Sequence, residues 1–385
     1  MSGKTASSPY PCVIVVGAGV IGLAIGWRLA QAGVAVTLYD KGAAGSGASH
    51  AAAGMLAACV EAEPREGSLL ALGRASQALW PAFAAELEQA TEIAIGLRCE
   101  GTIVAAFNDD DRARLQHHLA FQQSLGLPVT WLPAADVRRR EPHLASTLVG
   151  ALWSPEDHQV DNRRLAAALR AAACAAGATL HEHAPVERIA HDGKRTHGVM
   201  VAGTLQRADI VILAAGAWSR DVPLAPPVAR LPVRPVKGQM LALRMDPAAP
   251  ILRHVLRVPD TYLVPRHDGR LIVGATVEER GFDGDITAGG LLSLLDAAWR
   301  ALPAIEELPV DETWVGFRPG SRDDTPILGP GPMDGLIYAT GHYRNGILLT
   351  PITARVIADL VLHGAIDPLI GSLGAARFQA RAAAE

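Results

Sequence analysis

Two stretches of small residues mark where this chain could do chemistry. Gly17-Ala18-Gly19-Val20-Ile21-Gly22 directly follows Cys12–Val16, an apolar and β-branched run that reads as a buried parallel strand. Gly17 permits a tight turn, Gly19 lets the backbone approach a pyrophosphate on a helix N-terminus, and Gly22 lets helix and strand pack closely. Leu23 to Ala32 reads as that helix, stopped by Gly33, and Val34 to Tyr39 as a second strand ending at Asp40. The acid stands about 20 residues beyond the first glycine, where it can accept hydrogen bonds from an adenosine ribose. Strand, loop, helix, strand and acid in this order predict a dinucleotide site. The plain alternative is a helix-packing glycine cluster with an incidental surface aspartate. Neither the loop nor the acid chooses between NAD and FAD.

The second stretch, Gly45 to Leu56, includes Ala48, Ser49, Ala51-Ala52-Ala53-Gly54-Met55 and almost no bulk. Small side chains allow backbone N–H groups to reach a phosphate or a flat ring, which a flavin requires from a second segment. Alone, the same residues would also suit an alanine-rich loop or helix start.

The elements that must position these stretches follow from pattern. Helices are expected over 64–95, 109–125, Ala134–Arg140 and Asn162–Ala176, and strands over 99–107, Thr179–Ile189 and Asp209–Leu213. Residues 223–312 read as strands of an antiparallel sheet. Tyr262–Pro265 and Leu271–Ala275 flank an Asp268-Gly269 hairpin signal, with Pro265 suggesting an edge strand or a bulge. Pro351 fits the first turn of a helix running to about His363. Nucleotide-binding pieces lie at the start, middle and end of the chain. The expected division is therefore interleaved: 1–96, 160–233 and 313–385 for the nucleotide domain, 97–159 and 234–312 for a substrate domain.

Composition narrows the classes. The chain has 385 residues, 49% of them apolar, and a net charge of −4. This is enough for a large packed core and lacks the basic footprint of a nucleic-acid binder. Arg138-Arg139-Arg140 is read as a solvated helix end. Cys12, Cys59, Cys99 and Cys174 are scattered and are expected to be reduced thiols of a cytoplasmic protein. Residues 1–12 carry Lys4 alone as charge and show no secretory leader, and no membrane span is expected. No His/Cys/carboxylate cluster predicts a metal.

The C-terminal third carries Gly316-Phe317-Arg318-Pro319 and then Gly341-His342-Tyr343-Arg344-Asn345-Gly346-Ile347-Leu348-Leu349. With Ala51–Leu56, Pro235-Val236-Lys237-Gly238-Gln239 and Tyr262–Thr276, these stretches resemble the D-amino-acid-oxidase-like FAD-dependent oxidoreductases. Within that family they resemble the glycine oxidases of thiamine biosynthesis. The resemblance spans about 13–362. It implies an α/β fold with a Rossmann-type FAD-binding domain interleaved with an antiparallel-sheet substrate domain.

The resemblance also implies roles. Val20 and Ile21 would meet the FAD pyrophosphate through backbone. Asp40, with Lys41 beside it, would hold the ribose, and Val186 would meet the adenine. Ala48, Ser49, Ala53, Gly54 and Met55 would line the pyrophosphate and ring, and His342 through Leu348 would run along the flavin. Arg318 would clamp a substrate carboxylate, a task suited to a bidentate guanidinium. Tyr262 would help hold that carboxylate, and Arg344 would stand as a second arginine near the site. By residue type alone, Arg318 reads equally well as a structural ion pair and Tyr262 as an amphipathic strand residue. Val277 departs from a methionine of the family pocket, and His50 from a smaller residue. The absence of cysteine after Cys174 argues for non-covalent FAD.

The activity implied is hydride transfer from glycine, and also from sarcosine or small D-amino acids, to FAD. Dioxygen is then reduced to hydrogen peroxide, and the imino acid enters thiazole formation or hydrolyses to glyoxylate. Two other readings stay open. One is a dehydrogenase passing electrons to a quinone or carrier; the other is a flavin-binding sensor or partner protein. The family implies a homotetramer.

Overall fold

A computed structural model describes residues 10–64, 67–224 and 230–378. Most of residues 1–12, Lys4 included, lies outside the described residues. Two large sheets organise the chain. The first, six-stranded, runs in the order Ile327–Pro330, Leu336–Thr340, Ile210–Leu213, Val13–Val16, Val36–Tyr39, Thr179–His181. Its strands are parallel except at the Ile327–Pro330 edge. Val13–Val16 is buried at every position: Val13 and Val15 pack among helices on one face, and Ile14 and Val16 pack with Ile189 and Val199 of a three-stranded antiparallel sheet on the other.

The helix Val20–Gln31 packs against Asn162–Ala175 and Thr350–His363. Gly22 lets this helix lie close against the strand and loop that precede it: a Cβ there would fall 1.9 Å from the Gly17 carbonyl oxygen. Thr350–His363 begins with Pro351 in its first turn and ends on Gly364 at φ 67°. No single helix among the described residues is long and apolar enough to cross a membrane.

The second sheet has eight strands: Val310–Ser321, Val233–Arg244, Arg270–Gly274, Thr261–Pro265, Val255–Val258, Thr102–Ala106, Gly150–Ser154, Thr130–Pro133. It is antiparallel apart from the parallel pairing of Val255–Val258 with Thr102–Ala106. The sheet reaches further than the expected division at 313, since Val310–Ser321 stays paired with Val233–Arg244 as far as Ser321.

Three other expectations are corrected. Pro265 is neither on an edge nor at a bulge: it ends an interior strand opposite Leu271, next to the turn. The Thr179–Ile189 region divides into two strands belonging to different sheets, because the chain turns at His183, φ 54°. Residues 223–312 also contain a helix, Ala288–Ala301, capped by Thr287 accepting from the Gly290 N–H. Its apolar face, Leu291, Leu294, Leu295 and Ala298, packs on the back of the eight-stranded sheet.

Candidate active site

A cavity of about 630 Å³ lies between the two sheets. Its wall includes Gly17, Gly19, Val20, Ile21, Asp40, Lys41 and Val186 from the nucleotide side. Ala48, Ser49, Ala53, Gly54 and Met55 come from the small-residue segment. Tyr262, Arg318 and His342 through Ile347 complete the nominated set. Two nominated residues stand outside this wall. Gly22 is spent on helix packing. Leu348 is buried behind the cavity, its carbonyl accepting from Ser76 Oγ at 2.6 Å and Trp80 Nε1 at 2.9 Å. Leu348 therefore ties the chain to the long helix Gly67–Thr91 and does not run along the cavity.

The nucleotide end is a helix N-terminus opened by glycine. Gly17 has φ +105°, and a Cβ on it would lie 2.5 Å from the Ala214 carbonyl oxygen. Gly19 caps the helix without a side chain, no acid stands in the first turn, and Ser49 Oγ accepts from the Val20 N–H at 3.0 Å. Both segments singled out for their small residues thus meet at one point. The Asp40 carboxylate accepts from the Ala18 N–H at 2.7 Å and the Gly42 N–H at 2.8 Å, fixing the loop on either side of it. Lys41 Nζ lies 3.6 Å over the Trp218 ring, and burial there lowers its pKa against the pull of Asp40 and Asp221. Gly54 lines the cavity through its backbone, and its missing Cβ makes room for the Val160 carbonyl. Arg266, fully buried, donates to the carbonyls of Ala53 and Val160 and to the side-chain oxygens of Asn162 and Gln159. This arginine, absent from the sequence reading, clamps the turn that carries Gly54.

The opposite wall is one face of the eight-stranded sheet. Register places Arg257 opposite Tyr262, Tyr262 opposite Gly274, Gly274 opposite Met240 and Met240 opposite Trp314, so these side-chain positions share a face. Arg318 stands on the same face, because side chains alternate along Val310–Ser321 and it lies four residues beyond Trp314. Three glycines clear the space. A Cβ on Gly274 would meet Met240 Sδ at 2.7 Å, one on Gly316 would meet Ala51 Cβ at 2.2 Å, and one on Gly238 would meet Arg318 Nη1 at 2.6 Å.

Arg318 is held by carbonyls rather than by an acid. Nη1 donates to Thr276 O at 3.1 Å and Lys237 O at 3.4 Å, and among the described residues no carboxylate lies within 4.0 Å of its guanidinium. The structural ion pair is thereby set aside. Burial raises the Tyr262 phenol above its ordinary value, while Arg318, within hydrogen-bond reach, pulls the other way. Arg344 is paired with Glu61, Nε to Oε2 at 3.2 Å, and Glu61 also pairs with Arg257. Burial opposes ionisation of Glu61, but Arg257 and Arg344 hold its carboxyl below the usual range. Burial drives His342 down to about 3, and its Nε2 is 3.2 Å from Thr353 Oγ1. Of the two departures, Val277 lines the cavity and is exposed, whereas His50 does not reach it.

The donor set fits FAD. A glycine-opened helix N-terminus with no acidic first turn suits a pyrophosphate, Asp40 beside it suits a ribose, and the mainly apolar middle suits a flat ring. None of the four cysteines lines the cavity.

Comparison with known proteins agrees. Residues 12–360 match the family described as FAD dependent oxidoreductase. A glycine oxidase of Geobacillus kaustophilus is 41% identical, covering 91% of this chain and 92% of its own. A bifunctional protein ThiO/ThiG of Synechocystis is also 41% identical over 95% of this chain, which spans about half, 54%, of that longer relative. The crystal structure of the Geobacillus glycine oxidase superposes with a TM-score of 0.87 at 39% identity, covering 95% of this chain and 98% of that one.

Proposed function

We propose that this chain, which belongs to the FAD dependent oxidoreductase family, oxidises glycine to its imino acid. Sarcosine and small D-amino acids would be secondary substrates and dioxygen the electron acceptor. The observation that carries the reading is Arg318: a cavity guanidinium positioned by two carbonyls, with no carboxylate among the described residues to neutralise it. Such a group is complementary to a small substrate carboxylate, and the neighbouring Tyr262 hydroxyl can donate to the same anion. Similarity to glycine oxidases directs the choice toward glycine.

Non-covalent FAD, when bound, supplies the two-electron acceptor, accepting hydride from the substrate and giving hydrogen peroxide with dioxygen. The residues of the chain bind and orient. Arg318 and Tyr262 fix the carboxylate end and so aim the Cα–H bond. Gly17, Gly19, Val20 and Ile21 would take the pyrophosphate, Asp40 the ribose, Val186 the adenine, and Ala53–Met55 with His342–Ile347 the ring.

Among the described residues, none of the groups beside the clamp is a strong base. His342 is buried and bonded to Thr353, Tyr262 stays protonated, and Glu61 is a weak base held between arginines. The amine therefore reacts after losing its proton to solvent. The imino acid would hydrolyse to glyoxylate and ammonia or pass to thiazole formation; similarity to ThiO/ThiG proteins supports the second fate.

Assay of the FAD-loaded protein with glycine under air tests the reaction. Hydrogen peroxide and glyoxylate should form in equal amounts at the rate of turnover. Turnover seen only with a dye or quinone acceptor would overturn the oxygen assignment.

A further inference from the structure

Arg257 and Glu61 have no part in the carboxylate clamp, yet both line the same cavity. Glu61 leaves the loop after Met55–Leu56 with a side chain 11% exposed. Its two oxygens are divided: Oε1 pairs with Arg257 and Oε2 with Arg344. A carboxylate spanned by two guanidiniums is how a two-arginine site holds any carboxylate. Here the anion happens to be supplied by the chain.

We propose that Arg257 and Arg344 form a second anion subsite beside the clamp, and that Glu61 fills it, restricting the enzyme to amines with a single acidic group. The inference deepens the proposed reaction and rests on it for the identity of the first subsite.

Three observations support it. First, Arg257 stands directly opposite Tyr262 across the strand pair, so clamp and subsite share one face of the sheet. Second, the charge is lopsided. Arg257, Arg344 and Arg318 all act on Glu61, the acid set between them, while Glu63 reaches only Arg344, at 3.9 Å, and Asp260 lies in the wall beyond. A substrate with one carboxylate satisfies Arg318 alone. Third, a partly buried ion cluster adds little to stability compared with apolar residues of the same volume, so its place in a cavity wall calls for a different explanation. Removing the negative charge of Glu61 would take from Arg257 the carboxylate it pairs with, and a second acidic group on the ligand would supply one.

Methoxyacetate and diglycolate test this directly. Each carries a carboxymethyl group on an ether oxygen, and they differ in what that oxygen carries on its other side, a methyl in methoxyacetate and a second carboxymethyl in diglycolate. Neither carries an amine to oxidise. Their dissociation constants are read from the change in flavin absorbance on titrating the FAD-loaded protein. The wild-type protein should bind diglycolate no tighter than methoxyacetate. Glu61→Gln keeps shape and hydrogen bonding but removes the charge, and should shift the preference toward diglycolate by about tenfold or more. Glu61→Ala should shift it the same way, and adding Arg257→Met to either variant should abolish the gain.

A preference unchanged in both Glu61 variants, or a gain that survives Arg257→Met, would overturn the subsite. Because binding alone is read, failure of glycine to reduce the flavin would strike the proposed reaction and leave this result standing.

Discussion

At the scale of single residues, the site depends on space as much as on charge. Arg318 can lie flat in the cavity wall because position 238 has no side chain. In Gly238→Ala the new methyl would sit 2.6 Å from Nη1, inside any real contact, and the flexible guanidinium would move rather than the strand. Misplacement on the order of 1 Å costs about 100-fold in rate. Steady-state kinetics should show kcat/KM for glycine falling by about that factor while the melting temperature hardly changes. His342 has a different consequence. Burial holds it at about 3, far below an ordinary imidazole at about 6.5. The unfolded chain therefore takes up this proton first, so the stability it confers is complete above about pH 6.5 and declines as pH falls toward 3. Denaturant titrations of His342→Gln should show a flatter acid decline than the wild type, and an equal slope would contradict the assignment.

Residue roles were unevenly legible in the sequence. Gly17, Gly19 and Asp40 announce themselves by spacing within one short segment. Arg257 and Glu61 lie in unremarkable contexts, 196 positions apart, and only the sheet register and the loop after Leu56 bring them together. Arg266 was equally silent, a hairpin residue that the fold buries completely.

At the scale of elements, the turn carrying Ala53 and Gly54 belongs to the nucleotide side but is clamped by Arg266 from the substrate sheet. Four acceptors converge on that guanidinium, and burial pushes its pKa down only to about 10, so it remains charged. Arg266→Met would leave the Ala53 and Val160 carbonyls unsatisfied, at a cost of about 3 kcal/mol. Thermal melts should register that loss, and the purified protein should retain less FAD; unchanged flavin content would show that the turn needs no clamp.

Local pattern was a good guide where an element has marked ends, as for Ala134–Arg140, which follows Pro133, and Asp109–Ser124, which Asn108 caps by accepting from the Asp111 N–H. It failed at Ala288–Ala301, where Gly289 and Gly290 hide a helix start that Thr287 caps. It also failed at Pro265, where an interior strand tolerates proline because the strand ends there.

At the scale of the molecule, the chain passes repeatedly between two sheets, and the cavity lies between them, with one face of the eight-stranded sheet as a wall. This explains why the Rossmann unit announces a dinucleotide while Arg318, on a strand of the other sheet, announces a carboxylate. Neither sheet alone can bring the two together, and the match of residues 12–360 to one family reflects that the arrangement spans nearly the whole chain. The expected division at 313 missed because Val310–Ser321 carries both kinds of signal: it pairs in the substrate sheet yet leads straight into the return to the nucleotide sheet.

The central claim is that this seam oxidises a small amino acid held by Arg318. Anaerobic titration of the FAD-loaded protein with glycine, sarcosine and D-alanine tests it most directly. The account predicts that glycine bleaches the visible flavin absorbance without oxygen, and that Arg318→Ala needs at least about 100-fold more glycine for the same bleaching. A wild-type spectrum unmoved by all three amines, or an Arg318→Ala variant reduced as readily as the wild type, would contradict it.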